Sequence, residues 1–181
     1  RSLTLTFPDG VDVAEVSFNR YVGGYAKGDD SLVGMPAFVL RGFRHRNFFV
    51  RSDSPLERLA DLKGRRVGTN SWPDTGTMWC RIAMTDAGVA IPDVAWTIGT
   101  LDAKTPNKPP TKNDVPPPKG ARLLAGTETL LDELMAGRID AVTTAKAPAE
   151  VFKKNGKIRR DRKSTRLNSS HVSEFRMPSS A

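Results

Sequence analysis

Cysteine occurs once in the 181 residues, at Cys80, and histidine twice, at His45 and His171. A single thiol excludes an internal disulfide framework and any cysteine-built zinc cluster. Two histidines so far apart argue against a histidine-built centre, so no metal is expected. Aromatic residues are scarce, at 7%. No run of about 18 apolar residues is present, and no membrane span is expected. Both glycine signatures of nucleotide binding, the phosphate loop and the dinucleotide fingerprint, are also missing. The chain opens at Arg1, inside what reads as a strand from Leu3 to Phe7, so its natural start is expected to lie upstream.

What is present fits a globular protein: 38% of residues are hydrophobic and 27% charged. A soft prior of roughly 150 residues per domain gives one domain, or two small lobes. Lysine and arginine number 28 against 20 acidic residues. That excess invites a nucleic-acid reading, but no recognised module is present and aromatic interleaving is thin, so no nucleic-acid partner is expected. Part of the excess lies in residues 161–181, where DRKSTRLNSSH and RMPSSA read as in-frame translations of a sequencing-library adapter. That tail is set aside as non-native, as a fusion scar would be. Without it the chain loses four basic and two acidic residues and stays basic.

Periodicity then sets out alternating elements. Val11 to Ser17 reads as a half-buried strand, and Ser17 as the cap of a helix carrying Phe18, Tyr21, Val22 and Tyr25, with Tyr21 and Tyr25 in the core. Strands are expected over Ser31–Leu40 and Arg44–Val50. Ser54, Pro55 and Glu57 have the spacing of a capping box and predict a short helix ending near Asp61. A strand from Arg65 to Gly68 leads through a polar loop into a helix over Thr75–Ala87, with Met78, Trp79, Ile82 and Ala83 on its packing face and Cys80 as a buried thiol. Val94–Ile98, Thr127–Ala136 and Ile139–Thr144 read as strand, helix and strand. Such alternation predicts an α/β fold with a mostly parallel sheet. Between Leu101 and Gly120 six of the 13 prolines gather among lysines, the mark of a surface excursion.

Two places carry chemistry. The loop Asn70, Ser71, Trp72, Asp74, Thr75 leads from a strand into a helix start, where free backbone N–H groups and the helix dipole favour an anion. Asp74 or Thr75 is also expected to cap that helix. The second place is Arg41-Gly42-Phe43-Arg44-His45, where guanidinium groups suit bidentate capture of carboxylates and a histidine can give up a proton near neutral pH. A solvated charge run would look the same. Ser17 stands before the first helix, with nothing in its spacing to separate a ligand contact from a cap.

Read together, VDVAEVSFNRYVGGYAKGDD, GMPAFVLRGFRHRNFFV, DLKGRRVG, TGTMWCRIAMTDAGV and LMAGRIDAVTTAKAP resemble the 4,5-dihydroxyphthalate decarboxylase family over about Val11–Phe152. Its most specific piece is Arg41 with Phe43-Arg44-His45; the sequence departs from the family pattern at Leu40, Ser71 and Trp72. The resemblance implies a type-2 periplasmic-binding-protein-like α/β fold, two lobes about a ligand cleft, here truncated at both ends: 1–37 as a remnant of lobe one, and 38–160 as crossover strands and lobe two. It implies cofactor-independent decarboxylation of an aromatic dicarboxylate. His45 would then be proton donor, Arg41 and Arg44 the carboxylate clamp, and Ser17 with the Asn70–Thr75 loop further contacts. A solute-binding protein of an ABC importer for a small organic anion is the alternative. The first reading implies a cytoplasmic protein, the second a periplasmic or extracellular one. Both make a small carboxylate the partner.

Overall fold

The computed structural model describes residues 11–35, 47–102, 106–107, 115–145 and 147–160. Arg41, Arg44, His45, the second half of the Ser31–Leu40 segment (36–40) and the tail from 161 lie outside them, and the first half of that segment, 31–35, forms no strand.

Among the described residues six strands form one mixed sheet: β1 Phe48–Arg51, β2 Arg66–Thr69, β3 Ala95–Ile98, β4 Arg122–Leu123, β5 Ala141–Thr143 and β6 Ile158–Arg160, in the spatial order β4-β3-β2-β5-β1-β6. β2 pairs parallel with β3 and β5, and β3 with β4. β1 runs antiparallel to both β5 and β6. The expected parallel core is therefore present, with an antiparallel end added by β1 and β6. The sheet is thus of the mixed α/β kind that alternating strands and helices build.

Side-chain alternation along the strands divides the core into two layers. Phe48, Val50, Val67 and Ala141 face one way and pack with Cys80, Ala83 and Met84 of the helix α2 (Thr75–Asp86). Phe49 and Val142 face the other way and pack with Leu130 and Leu134 of α3 (Leu130–Met135). Gly68 belongs to this second face, where a Cβ would sit 2.7 Å from Ile139 Cδ1 and 2.8 Å from Leu130 Cδ2, so a larger residue would make the ends of both side chains shift. Thr129 caps α3: its hydroxyl accepts from the Asp132 N–H at 3.1 Å and donates to the Asp132 carboxylate at 2.6 Å.

Several expectations change. Val11–Ser17 forms no strand, because no described strand lies alongside it to pair with. The Ser54 hydroxyl accepts from the Leu56 N–H at 3.3 Å, a local turn rather than a helix start. The helical residues come later, as one tight turn over Leu59–Leu62, where the Asp61 carboxylate accepts from the N–H groups of Glu57 and Arg58 at 2.9 and 3.1 Å. On α2 the packing face is Gly76, Thr77, Cys80, Ala83 and Met84. Trp79, expected in the core, is 47% exposed. The first helix, α1 (Phe18–Tyr25), stands on the rim with Tyr25 66% exposed and stacked on Tyr21 at 6.5 Å between ring centres. Cys80 is buried as expected.

In the proline-rich stretch, Asn107 ties the chain down. Its carbonyl oxygen accepts from the Thr100 N–H at 2.7 Å, and its amide donates to the Glu128 carbonyl at 2.7 Å. Among the described residues, no helix is long and apolar enough to cross a membrane.

Candidate functional site at the carboxyl ends of the parallel strands

In α/β sheets the crevice beyond the carboxyl ends of the strands is where loops and helix starts converge. Here β2 ends at Thr69, the Asn70–Asp74 loop follows, and α2 begins at Thr75. Asp74 holds the residue before the helix in extended geometry, yet its carboxylate makes no capping hydrogen bond. Thr75 does not cap either. Its hydroxyl accepts from the Asn19 N–H at 3.0 Å and shares a hydrogen bond of 2.9 Å with the Ser17 hydroxyl. The expectation that Asp74 or Thr75 caps α2 is thus overturned, because Thr75 is drawn to α1 instead. Ser17 likewise spends its hydroxyl on Thr75 and caps nothing in α1. The Asn19 side-chain amide adds a bond to the Pro73 carbonyl.

Ser17, at the foot of α1, and Thr75 therefore meet, as one site requires of residues 58 apart. Trp72 folds inward, 7% exposed, with its ring edge-on to Trp96 at 5.2 Å. Asn70 and Ser71 line the loop between, half-buried. The Asn70 side-chain oxygen is enclosed without a hydrogen-bond partner among the described residues.

The same is true of three hydroxyls that the fold gathers beneath this loop. Thr69 and Thr143 are cross-strand partners at the ends of β2 and β5. Alternation puts both on the α2 face, two residues beyond Val67 and Ala141. Thr77 tops the buried stripe of α2 that runs through Cys80 to Ala83 and Met84. All three are at most 1% exposed, and none of their hydroxyl oxygens has a partner among the described residues. Buried polar groups left in this way cost about 1–3 kcal/mol each, so these three hydroxyls make this end of the sheet a candidate place for a polar ligand.

Arg81, one turn beyond Thr77, leans back over the loop. It donates to the Trp72 carbonyl at 2.8 Å, and its guanidinium lies 3.9 Å above the Trp72 ring. Burial pulls its pKa down from the usual arginine range, and no carboxylate among the described residues offsets that. Sequence reasoning matched Arg81 to the family pattern but gave neither Arg81 nor Thr143 a role in the site. The signal for Arg81 was its i,i+4 relation to Thr77 on a helix that starts at the loop; for Thr143, its place at the end of a strand beside β2. Arg41, Arg44 and His45 lie outside the described residues, and the chain resumes at Asn47, whose carbonyl accepts from the Thr144 N–H at 3.2 Å, beside the end of β5. Among the described residues no group of three or more His, Cys, Asp or Glu side chains is placed to hold a metal.

No family model matches the chain. Individual proteins do. The 4,5-dihydroxyphthalate decarboxylase of Pseudomonas putida is 32% identical over 139 residues, 76% of this chain and 54% of that protein. The enzyme of the same name from Comamonas testosteroni is 31% identical over 141 residues, 76% of this chain and 42% of that protein. The chain thus spans about half the length of the curated relatives it matches. Among solved structures, the periplasmic aliphatic sulphonate-binding protein SsuA of Escherichia coli overlays with a TM-score of 0.42 at 18% identity, covering 70% of this chain and 33% of its own. The alkanesulfonate-binding protein SsuA of Xanthomonas axonopodis pv. citri, bound to MOPS, gives 0.41 at 16% identity, covering 65% and 32%. Across three quarters of its length the polypeptide is thus similar to two 4,5-dihydroxyphthalate decarboxylases.

Proposed function

We propose that this polypeptide carries the anion-binding half of a cofactor-independent decarboxylase acting on a 4,5-dihydroxyphthalate-like aromatic dicarboxylate. The observation that carries the reading is the uncapped start of α2 standing over the unpartnered hydroxyls of Thr69, Thr77 and Thr143. A helix start draws negative charge, and hydroxyls can both donate to carboxylate oxygens and accept from a phenol. The relatives supply the substrate class.

On this reading residues 1–37 belong to one lobe and 38–160 to crossover strands and a second lobe, with the ligand between them. The Asn70–Thr75 loop and Ser17 contact the anion. Arg41 and Arg44 clamp the carboxylate that stays, and their segment joins β1 at Asn47, beside the carboxyl end of β5. His45 gives a proton to the ring carbon that bears the departing carboxylate. The hydroxyl para to that carbon pushes electron density in as the proton arrives; the carbon–carboxylate bond then breaks and its electron pair restores the aromatic ring as carbon dioxide leaves.

The test is incubation of the protein with 4,5-dihydroxyphthalate, following the ultraviolet spectrum and released carbon dioxide. One carbon dioxide per 3,4-dihydroxybenzoate formed is expected, with turnover lost in His45→Ala. Binding without conversion would favour the solute-binding alternative, and unchanged turnover in His45→Ala would remove that residue from the mechanism.

A further inference from the structure

We propose that Arg81 supplies the positive charge that meets the ligand's anionic group at the start of α2; the inference deepens the binding reading above and rests on it. Three observations converge on it. The guanidinium is fixed in place by the Trp72 ring 3.9 Å beneath it and the Trp72 carbonyl at 2.8 Å. That carbonyl is its one hydrogen-bond acceptor among the described residues, so most of its five N–H donors are left for another group. No carboxylate among the described residues pairs with it, whereas Arg51, Arg58, Arg66 and Arg138 each pair with one and Arg122 with two.

The second observation is where the charge sits. From position 81 an arginine reaches back one turn, toward Thr77 and the loop, and so adds its charge to the positive end of the twelve-residue α2. Asp74, the one acidic residue in that loop, does not cap the helix. Third, the Thr77 hydroxyl on the same helical turn is 1% exposed and has no partner among the described residues. A half-buried cation, a helix start and an orphan hydroxyl together describe a receptor for a planar or tetrahedral oxyanion, held by the fork of an arginine.

A purely structural brace for Trp72 is the competing role, and inorganic sulfate separates the two. Thermal midpoints are measured with rising sulfate at constant ionic strength for the wild type, Arg81→Lys and Arg81→Gln. A sulfate-specific rise is expected in the wild type, smaller in Arg81→Lys, with sulfate binding about tenfold or more weaker in Arg81→Gln. A wild-type rise that Arg81→Gln keeps in full, or no rise in the wild type, overturns the proposal. Because Arg81→Gln could unfold, the wild type is also treated with an arginine-specific dicarbonyl reagent and mapped by peptide mass. Sulfate is expected to slow modification at Arg81 and not at Arg51 or Arg138; equal rates with and without sulfate overturn the proposal. Repeating the mapping with 4,5-dihydroxyphthalate keeps the two readings apart. Protection by sulfate alone leaves the anion site standing and removes the dihydroxyphthalate reading.

Discussion

Ser17 and Thr75, 58 residues apart in the chain, join their hydroxyls in a hydrogen bond of 2.9 Å, and so fasten the start of α1 to the start of α2. Thr75 spends the rest of its oxygen on the Asn19 N–H at 3.0 Å. Two helix starts are thereby held side by side, at the end of the molecule where the strands deliver their carboxyl termini.

Thr75→Val keeps the shape of the side chain and strands both partners. It is expected to cost about 1–2 kcal/mol, mostly through the half-buried Asn19 N–H left without an acceptor. Ser17→Ala should cost less. A double-mutant cycle on urea unfolding is expected to show the two changes coupled, and amide exchange in α1 should rise in Thr75→Val. Strict additivity would show that the helices are held by packing alone.

Trp72 links the site to the core through its contact with Trp96. Trp72→Ala should destabilise the protein by about 3–5 kcal/mol, within the range for emptying a buried aromatic site. Trp72→Phe should cost clearly less and keep the platform under Arg81. Calorimetry orders the three proteins. A Phe variant as weak as the Ala variant would mean that the indole N–H or ring size, rather than packing, is decisive.

Glu133 sits buried on α3 between Arg122, at 2.6 Å, and Arg138, at 2.7 Å. The Arg138 hydrogen bond, more than its Arg122 neighbour, holds the carboxyl below the usual glutamate range. Asp140 is lowered in the same direction, chiefly by the Arg66 side chain. A carboxyl lowered in the folded state adds stability that is complete above its unfolded pKa, about 4.3 for glutamate, and is lost as pH falls through the lower folded value. Glu133→Gln should therefore cost about 2 kcal/mol near neutrality, the scale of a hydrogen bond to a buried charge, and flatten the fall in stability below about pH 4.3. Urea midpoints across pH 2–7 check both the size and the sign.

Glycine at 99 is predicted to be less replaceable than glycine at 68. A Cβ on Gly99 would lie 2.7 Å from Leu124 Cβ, an atom fixed to the backbone. On Gly68 the nearest atoms are the ends of Ile139 and Leu130, which can turn aside. Gly99→Ala should cost about 2–3 kcal/mol and Gly68→Ala about 1–2 kcal/mol. Equal unfolding midpoints for the two variants would refute the distinction.

What could be read in advance follows from which signals are local. β2, β3, β5 and the loop into α2 each announce themselves by alternation or by a polar break, and all three strands appear where expected. β4 and β6 escaped notice because two or three residues carry no period. The face of α2 was misjudged because Trp79 and Ile82 are apolar enough to suggest burial, whereas Cys80 and Ala83 are small enough to let the helix sit close to the sheet. At the candidate site, the Asn70–Thr75 loop stood out by its place between a strand and a helix start, whereas the spacing of Ser17 gave no sign of its bond to Thr75. Thr143 and Arg81 did not stand out, since one becomes relevant only through its register with Thr69 and the other only through its stacking on Trp72.

The anchorage of Asn107 to Thr100 and Glu128 has a bearing on how this lineage can vary. A twenty-residue detour is split into two shorter spans, and the entropy of closing each rises only with the logarithm of its length. Either span can therefore gain or lose residues during evolution at little cost, provided the asparagine stays. Insertions and deletions among homologues are expected to accumulate on both sides of that position and to skip the position itself.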